Sequence, residues 1–170
     1  MMKKLLLCIF TIGLLSSCEK EINYLYQVKM DAEFTIPVGL NTLETYYFTI
    51  HDVPTLFKLN ADLHKIDTAS ISDVKASYGL LRPSFNDVDL SFIERVVVNV
   101  YTHDINNKKE MYYLEFVPLN TKKELKLLSS TTQLVNMMKS EVVKIEVGIK
   151  LRQYNIGNIK TKLELGYVVF

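Results

Sequence analysis

The sequence predicts an all-β fold, an antiparallel sandwich of two sheets with one or two short helices in its connections. Three observations support this prediction. Apolar and polar residues alternate along residues 22–37 and 159–169, which is the period of a half-buried strand. Turn-forming residues interrupt the apolar segments at intervals of roughly ten residues. Helix-like spacing is confined to two short stretches, so the regular alternation of helices and strands that builds a parallel sheet is not expected.

The first half of the chain contains three predicted strands and one predicted helix. Residues 22–37, 43–50 and 71–81 form the strands, and residues 51–54 are expected to close the second of them. Thr55 is expected to cap a short helix before the third strand. Spacings of three and four residues predict that this helix buries one face, formed by Leu56, Leu59, Leu63 and Ile66.

A hairpin is predicted near the middle of the chain. Residues 86–93 form a turn, or one helical turn, that packs Phe92 inward. Residues 95–102 are rich in valine and predict a buried strand. A polar turn follows, and residues 110–117 pair back as the second arm.

The last third of the chain predicts a short helix and a second hairpin. Residues 125–128 are a short apolar stretch, and residues 130–140 form the helix. Residues 142–151 and 159–169 are the arms of the hairpin, joined through residues 154–158. The seven or so predicted strands leave the subtype of the sandwich open between immunoglobulin-like and transthyretin-like.

The first residues of the chain have the composition of a secretory signal peptide. Lys3 and Lys4 precede an apolar core of roughly ten residues, which is too short to span a bilayer as a permanent helix. Residues 15–18, Leu-Ser-Ser-Cys, then resemble the lipobox of bacterial lipoproteins, whose invariant cysteine is acylated before the peptide is removed. The alternative is an ordinary signal peptide with a cysteine after a small residue.

The lipobox implies lipidation of Cys18 and divides the chain into three parts. Residues 1–17 would be the cleaved signal peptide, residues 18–23 a lipidated tether, and residues 24–170 one β-sandwich domain. Glu19 follows the cysteine in place of the Asp associated with inner-membrane retention in enterobacteria. An outer-membrane lipoprotein of the bacterial envelope is therefore predicted. Whether it faces the periplasm or the cell surface stays open.

Composition excludes several classes of partner and site. Removal of Lys3 and Lys4 changes the formal net charge from +1 to −1, so no nucleic-acid partner is expected and the membrane is contacted through the lipid. Cys8 leaves with the signal peptide and the sulfur of Cys18 carries lipid, which excludes disulfides and thiolate zinc sites. No cofactor is predicted, because Walker, dinucleotide and zinc-protease motifs are absent from the sequence.

Two adjacent pairs, His51-Asp52 and His103-Asp104, are the catalytic candidates. An imidazole beside a carboxylate can be oriented as a base or can bind zinc. However, neighbours along a strand point to opposite faces, so adjacency alone does not make a dyad. Both pairs close predicted strands at turns, where His and Asp are common. We therefore assign no catalytic residue, and only convergence of the two histidines in space would change this assignment.

Two further sites have weaker signals. Asp87 and Asp89 have a spacing suited to calcium in a sandwich loop, but the Gly and the distal Glu of an EF-hand are missing. A solvated turn is favoured there and no metal is predicted. Asp67-Thr68-Ala69 resembles the acceptor sequence for O-glycosylation of exported Bacteroidota proteins, which makes Thr68 a candidate acceptor in a predicted loop.

Residues 34–42, 91–93 and 151–153 carry a resemblance, over nearly the whole chain, to small uncharacterised lipoproteins of Bacteroidota. The resemblance implies the envelope location and the sandwich, and it supplies no catalytic residues. We expect a non-enzymatic, lipid-anchored binding or accessory module with a protein or glycan partner. One alternative is an envelope hydrolase or glycan-processing factor that uses His51, His103 and nearby acids. Another is a structural subunit of a surface appendage or secretion assembly.

Overall fold

The computed structural model of the protein describes residues 23–85, 88–121 and 123–170. Within these ranges the backbone forms eight antiparallel strands and two short helices, so the predicted all-β fold is confirmed. The strands are β1 (Tyr26–Ile36), β2 (Thr45–Pro54), β3 (Val74–Pro83), β4 (Ile93–Tyr101), β5 (Lys109–Leu114), β6 (Leu125–Ser129), β7 (Val142–Leu151) and β8 (Ile159–Val169). The helices are α1 (Phe57–Leu63) and α2 (Val135–Met138).

The strands follow the order β1-β8-β3-β6-β5-β4-β7-β2. Short β6 pairs with β3 on one side and with β5 on the other, so it joins the two layers of the sandwich. The outermost strands, β1 and β2, approach each other, and the rings of Phe34 and Phe48 stack with centroids 5.3 Å apart. The sheet is therefore nearly closed, which leaves little strand edge exposed.

Alternate residues of each strand fill the space between the layers. The period-two prediction for the first strand is confirmed, since β1 buries Tyr26, Val28, Met30, Ala32 and Ile36 and exposes the polar residues between them, with Phe34 half-buried. β7 and β8 bury their inward-facing residues in the same way. Phe92 is also buried, as predicted. Alternation in the sequence therefore places the core correctly.

A buried tyrosine ties the two layers together. The Tyr112 hydroxyl of β5 donates a hydrogen bond to the carbonyl oxygen of Gly166 in β8, and it accepts one from the Gly166 N–H at 3.1 Å. The ladder between β3 and β8 is irregular here, because its register shifts between Ala76 and Tyr78, and Tyr78 is the residue that pairs with Gly166. Gly79 makes room for the ring, because a Cβ there would lie 2.7 Å from Tyr112 Cδ1.

The connections between strands fall at two opposite ends of the sandwich. Ile36 pairs with Ile159 at one end, which we call the loop end. It is formed by four connections: 37–44, 84–92, 115–124 and 152–158. The other end, called the helix end, contains Tyr26 at the start of β1, both helices and the connection 102–108. No helix within the described ranges is both long enough and apolar enough to span a bilayer.

One predicted hairpin is confirmed and the other is wrong. β4 pairs with β5 across the polar turn, as expected. β7 and β8 do not pair, because β7 lies between β2 and β4 while β8 lies between β1 and β3. Residues 152–158 therefore cross from one layer to the other. Two adjacent alternating segments have the same pattern in either arrangement, so only the packing of the layers distinguishes them.

The predicted buried face of the first helix is also wrong. α1 buries Phe57 and Ala61, while the predicted face of Leu56, Leu59 and Leu63 is exposed and only Ile66, beyond the helix, packs partly against the core. The N-cap is Leu56, not Thr55. Two apolar sets recur at helical spacing in this segment, so local spacing does not decide which of them faces the core.

Two other boundaries differ from the prediction. Residues 125–128 were expected only as an apolar stretch, but they belong to β6, the strand that joins the layers. Residues 51–54 were expected to close the second strand, but β2 continues through them after a register shift between Ile50 and Val53. Each difference arises from pairing with a distant strand, which local sequence does not encode.

Candidate functional site

The loop end exposes seven large apolar side chains. They come from all four connections and are Val38, Leu43, Phe85, Phe116, Leu119, Tyr154 and Ile156. Single exposed apolar residues are normal on protein surfaces, but groups of them typically mark interaction sites. The loop end is therefore the leading candidate for a binding surface.

Side chains of the 152–158 connection hold the neighbouring loops in place. The guanidinium of Arg152 donates to the carbonyl oxygens of Ile93, at 3.0 Å, and Val117. Asn158 Oδ1 accepts from the Val38 N–H at 2.9 Å. These bonds connect the loops that follow β1 and β5, and the first residue of β4, to the loop that precedes β8. The surface is thus built on cross-linked loops.

A depression of about 390 Å³ opens in this surface. Five of its lining side chains are apolar: Val88, Phe92, Tyr154, Ile156 and Ile159. Ligand pockets in proteins occupy about 300–1,000 Å³ and combine apolar walls with a few polar groups. The depression falls at the small end of that range, which suits one large side chain or one ring of a ligand.

Asn155 supplies an unused hydrogen-bond acceptor in the lining of the depression. Its amide nitrogen donates to the carbonyl oxygens of Pro37, at 2.8 Å, and Gly157, at 2.9 Å. These bonds fix the orientation of the side chain. Its Oδ1 is buried and receives no hydrogen bond from any described residue. A buried acceptor without a donor costs about 1–3 kcal/mol, a cost that a donor group able to reach this oxygen would recover.

The outer face of the β1-β8-β3 layer has a different character. It is charged, and its charges are paired: Glu33 with Lys160 at 2.8 Å, and Asp31 with Lys162 at 3.1 Å. On the other layer, Glu146 is buried against Lys108 at 2.8 Å. Exposed ion pairs are well solvated and contribute little to stability or to recognition. The sheet faces are therefore weaker candidates than the loop end.

The two candidate histidines lie at the same end of one layer but on different strands. His51 lies in β2 beside Ile50, and His103 follows β4. Ile50 and Val100 both pair with Ile145 of β7, so β7 separates the two strands by about 10 Å in total. Both imidazoles are exposed.

No bond joins either imidazole to a carboxylate among the residues that the structure describes. Asp104 instead accepts a hydrogen bond from the Asn106 N–H at 2.8 Å and begins a short 3-10 turn. Asp52 has a left-handed backbone, with φ 54°. Both aspartates thus shape turns, and the hydrolase hypothesis gains no support from this geometry.

The metal candidates also fall in turns. Asp87 lies outside the described residues. Asp89 is exposed, and its Oδ1 accepts a hydrogen bond from the Ser91 N–H at 2.7 Å. The described part of the chain contains no group of three or more His, Cys, Asp or Glu side chains arranged to hold a metal.

The two modification sites stay predictions. Cys18 lies outside the described residues. Thr68 is half-buried in the turn after α1, in which Asp67 Oδ1 accepts from the Ala69 N–H at 2.9 Å. The predicted loop around Thr68 is thus present, and its glycosylation remains an expectation.

The loop-end depression was not predicted from the sequence. Residues 154–158 were predicted as a hairpin turn, whereas in the structure they form one wall of the depression. One signal was available, because Tyr154 and Ile156 are large apolar residues in a segment otherwise rich in Asn and Gly. Large apolar side chains in a short turn do not reach the core, so their presence favours a role at the surface.

Comparisons with known proteins add little to this description. No family model and no curated protein matches the chain. Among solved structures, one titled Desmodium yellow mottle tymovirus aligns over 91% of this chain and 93% of that chain, with 8% sequence identity and a TM-score of 0.27. Similarity at that level carries no argument about function.

Proposed function

We propose that this chain is a non-enzymatic, lipid-anchored binding module of a bacterial outer membrane, which engages a protein partner with its loop end. The observation that carries the proposal is the group of exposed apolar side chains contributed by all four loops of that end. The signal peptide and lipobox support the anchor.

The direction of β1 supports this arrangement. β1 begins at Tyr26 in the helix end and finishes at Ile36 in the loop end. Its 11 residues span about 36 Å at 3.3 Å per residue. A lipid on Cys18 would therefore attach near the helix end and leave the loop end facing away from the membrane.

The depression indicates which part of a partner is bound. Its walls are mostly apolar and Asn155 Oδ1 lacks a donor among the described residues. An apolar side chain with a neighbouring backbone N–H satisfies both features. Buried apolar anchors of this kind supply most of the affinity at protein interfaces.

The anchor is tested by replacing the two cysteines separately. Cells that express the chain are labelled with an alkyne analogue of palmitate, and the membrane fraction is examined. We expect Cys18→Ala to abolish the label and membrane retention, since that sulfur is the acylated atom. Cys8→Ala is the matched control, because it removes a thiol from the signal peptide only, and its label should persist. Label that survives in Cys18→Ala would refute the anchor.

The binding site is tested by nuclear magnetic resonance on the lipidated protein in nanodiscs, with carbon-13 isoleucine methyl groups. N-acetyl-leucine amide is expected to shift the signals of Ile156 and Ile159 in the depression. Ile105 at the helix end is an internal control and should not move. Ile156→Ser should weaken the response severalfold, whereas Ile105→Ser should not.

Two outcomes of this titration would contradict the proposal. If N-acetylglucosamine moves the same signals and the amide does not, the partner is a glycan. If neither compound moves them, the depression is not a binding site.

A further inference from the structure

Helix α1 exposes a row of leucines that the fold does not use. Leu56, Leu59 and Leu63 are 37%, 56% and 70% exposed. Their spacing of three and four residues places them on one face of the helix. The opposite face is buried through Phe57 and Ala61. The sequence predicted that the leucine face packs on the core, whereas in the structure this face lies toward the solvent.

This leucine face lies where the chain leaves its proposed anchor. α1 packs directly on the first residue of β1, since the Tyr26 hydroxyl donates to the Phe57 carbonyl oxygen at 3.3 Å. The Tyr26 ring also stacks on His64, with centroids 5.3 Å apart. The eight peptide steps from Cys18 to Tyr26 span at most about 29 Å when fully extended. A lipid on Cys18 would therefore keep α1 within reach of the bilayer surface.

Lysines border the leucine face. Lys58 and Lys139 line a shallow groove of about 310 Å³ together with Leu56 and Leu59, and Glu141 is the acidic residue that shares it. Apolar residues with basic neighbours are typical of helices that lie in the headgroup region of a membrane. With two lysines and one glutamate, the groove carries one excess positive charge, which together with its leucines suits an anionic lipid surface.

Two residues that flank α1 have a left-handed backbone. Leu56 has a left-handed conformation, with φ 58°, which is uncommon for a residue other than Gly, Asn or Asp. Lys65, just after the helix, also has a positive φ of 57°. Strained residues of this kind persist where the surrounding structure requires them, and they often occur at functional surfaces.

We infer that the leucine face of α1 lies in the headgroup region of the membrane, beside the lipid on Cys18. This inference rests on the lipid anchor proposed above, and it adds a second contact with the same membrane. The contact fixes the orientation of the sandwich, so that the loop end points away from the bilayer.

The chain contains no tryptophan, so an introduced indole reports on one position alone. Leu59→Trp places it on the leucine face, and Leu119→Trp places it on an exposed position of the loop end as the matched control. Each full-length, lipidated variant is reconstituted in vesicles of phosphatidylethanolamine and phosphatidylglycerol, with or without brominated acyl chains. Palmitate labelling of the same samples establishes whether the anchor is present.

With the label present, brominated lipid should quench the Leu59→Trp indole at least about twofold, because interfacial helices reach the boundary of the acyl chains. Its emission should also shift to shorter wavelength. The Leu119→Trp indole should show neither change.

Three results would overturn the inference. Label without quenching of the Leu59→Trp indole refutes the membrane contact and leaves the anchor intact. A wavelength shift without quenching shows that protein, not lipid, covers the leucines. Absence of label on the wild-type protein refutes the anchor, and this inference falls with it.

Discussion

The loop end and the helix end both expose large apolar side chains, but they support them in different ways. At the helix end, Leu59 and Leu63 belong to a helix that is fixed through buried Phe57 and Ala61. At the loop end, Ile156 belongs to an irregular connection without a buried apolar face of its own. Hydrogen bonds from side chains to the backbone hold that connection in place.

The two surfaces are thus held in place mainly by different interactions. Burial of apolar side chains is the main support of α1, and its contribution scales with the area removed from water; the hydrogen bond from the Tyr26 hydroxyl adds to it. Directional bonds from Arg152, Asn155 and Asn158 hold the loop end, and each contributes about 0.5–1.5 kcal/mol. The helix end therefore suits a fixed contact surface, whereas the loop end suits adjustment to the shape of a partner.

The largest expected effect is at the buried face of α1. Phe57→Ala should lower the free energy of unfolding by about 3–5 kcal/mol, because it leaves a cavity beneath the helix. Phe57 is only 2% exposed and packs beside Tyr26. Chemical denaturation followed by circular dichroism measures the change.

Leu59→Ala is the matched control on the exposed face of the same helix. Its effect on the free energy of unfolding should stay within about 0.5 kcal/mol, as for most surface substitutions. Equal losses for the two variants would show that the leucine face is packed against protein, which would remove the contrast between the faces.

The second-largest effect is expected at high pH, which should lower the free energy of unfolding through a group at the helix end. Burial raises the pKa of the Tyr167 phenol, whose hydroxyl donates to the Thr55 carbonyl oxygen at 2.7 Å. The folded protein therefore keeps this proton at pH values where the unfolded chain, with an ordinary phenol pKa of about 10, loses it. Tyr167 therefore contributes its full stabilisation below about pH 10. Above that pH the free energy of unfolding falls by up to about 1.4 kcal/mol per pH unit.

The measurement is the free energy of unfolding between pH 8 and pH 11 in wild type and Tyr167→Phe. Burial also raises the pKa of Tyr112, so the variant should lose part of the alkaline slope, not all of it. Tyr154→Phe is the matched control, because it makes the same chemical change at an exposed position of the loop end. An identical slope in all three proteins would contradict the prediction.

The smallest expected effect is a gain in stability at Leu56. Its φ of 58° is readily adopted by glycine but strained for leucine. Leu56→Gly should raise the free energy of unfolding by up to about 1 kcal/mol, offset in part by the greater freedom of glycine in the unfolded chain. Thermal unfolding is a sufficient measurement.

Ala is the informative comparison at this position. Leu56→Ala removes the same exposed side chain but keeps a Cβ, so it should give no gain. A loss of stability in Leu56→Gly larger than that in Leu56→Ala would show that the leucine is not strained.

The strands that alternate clearly were predictable, and the rest of the fold was less so. β1 buries every second residue as its sequence predicts, because a strand with one face in the core has a fixed period of two. β6 was missed as a strand, since its five residues are too few for a period to show. Pairing with β3 and β5 defines it.

The candidate site was predictable only in fragments. Tyr154 and Asn155 were visible as a turn, but the depression also needs Val88 and Phe92, which lie more than sixty residues earlier in the chain. No local pattern brings these two segments together. Their meeting depends on the crossing of residues 152–158 between layers, which the hairpin prediction had excluded.

The sequence by itself determined the all-β class, the inward residues of the long strands and the predicted signal peptide with its lipobox. These features are encoded by neighbours along the chain, through side-chain alternation, turn residues and a short apolar run. Only the tertiary structure decided that β7 and β8 belong to different layers. It also decided that α1 turns its leucines outward. Both depend on which distant surfaces meet, and an amphipathic segment has the same sequence whether its apolar face meets the core, a membrane or another protein.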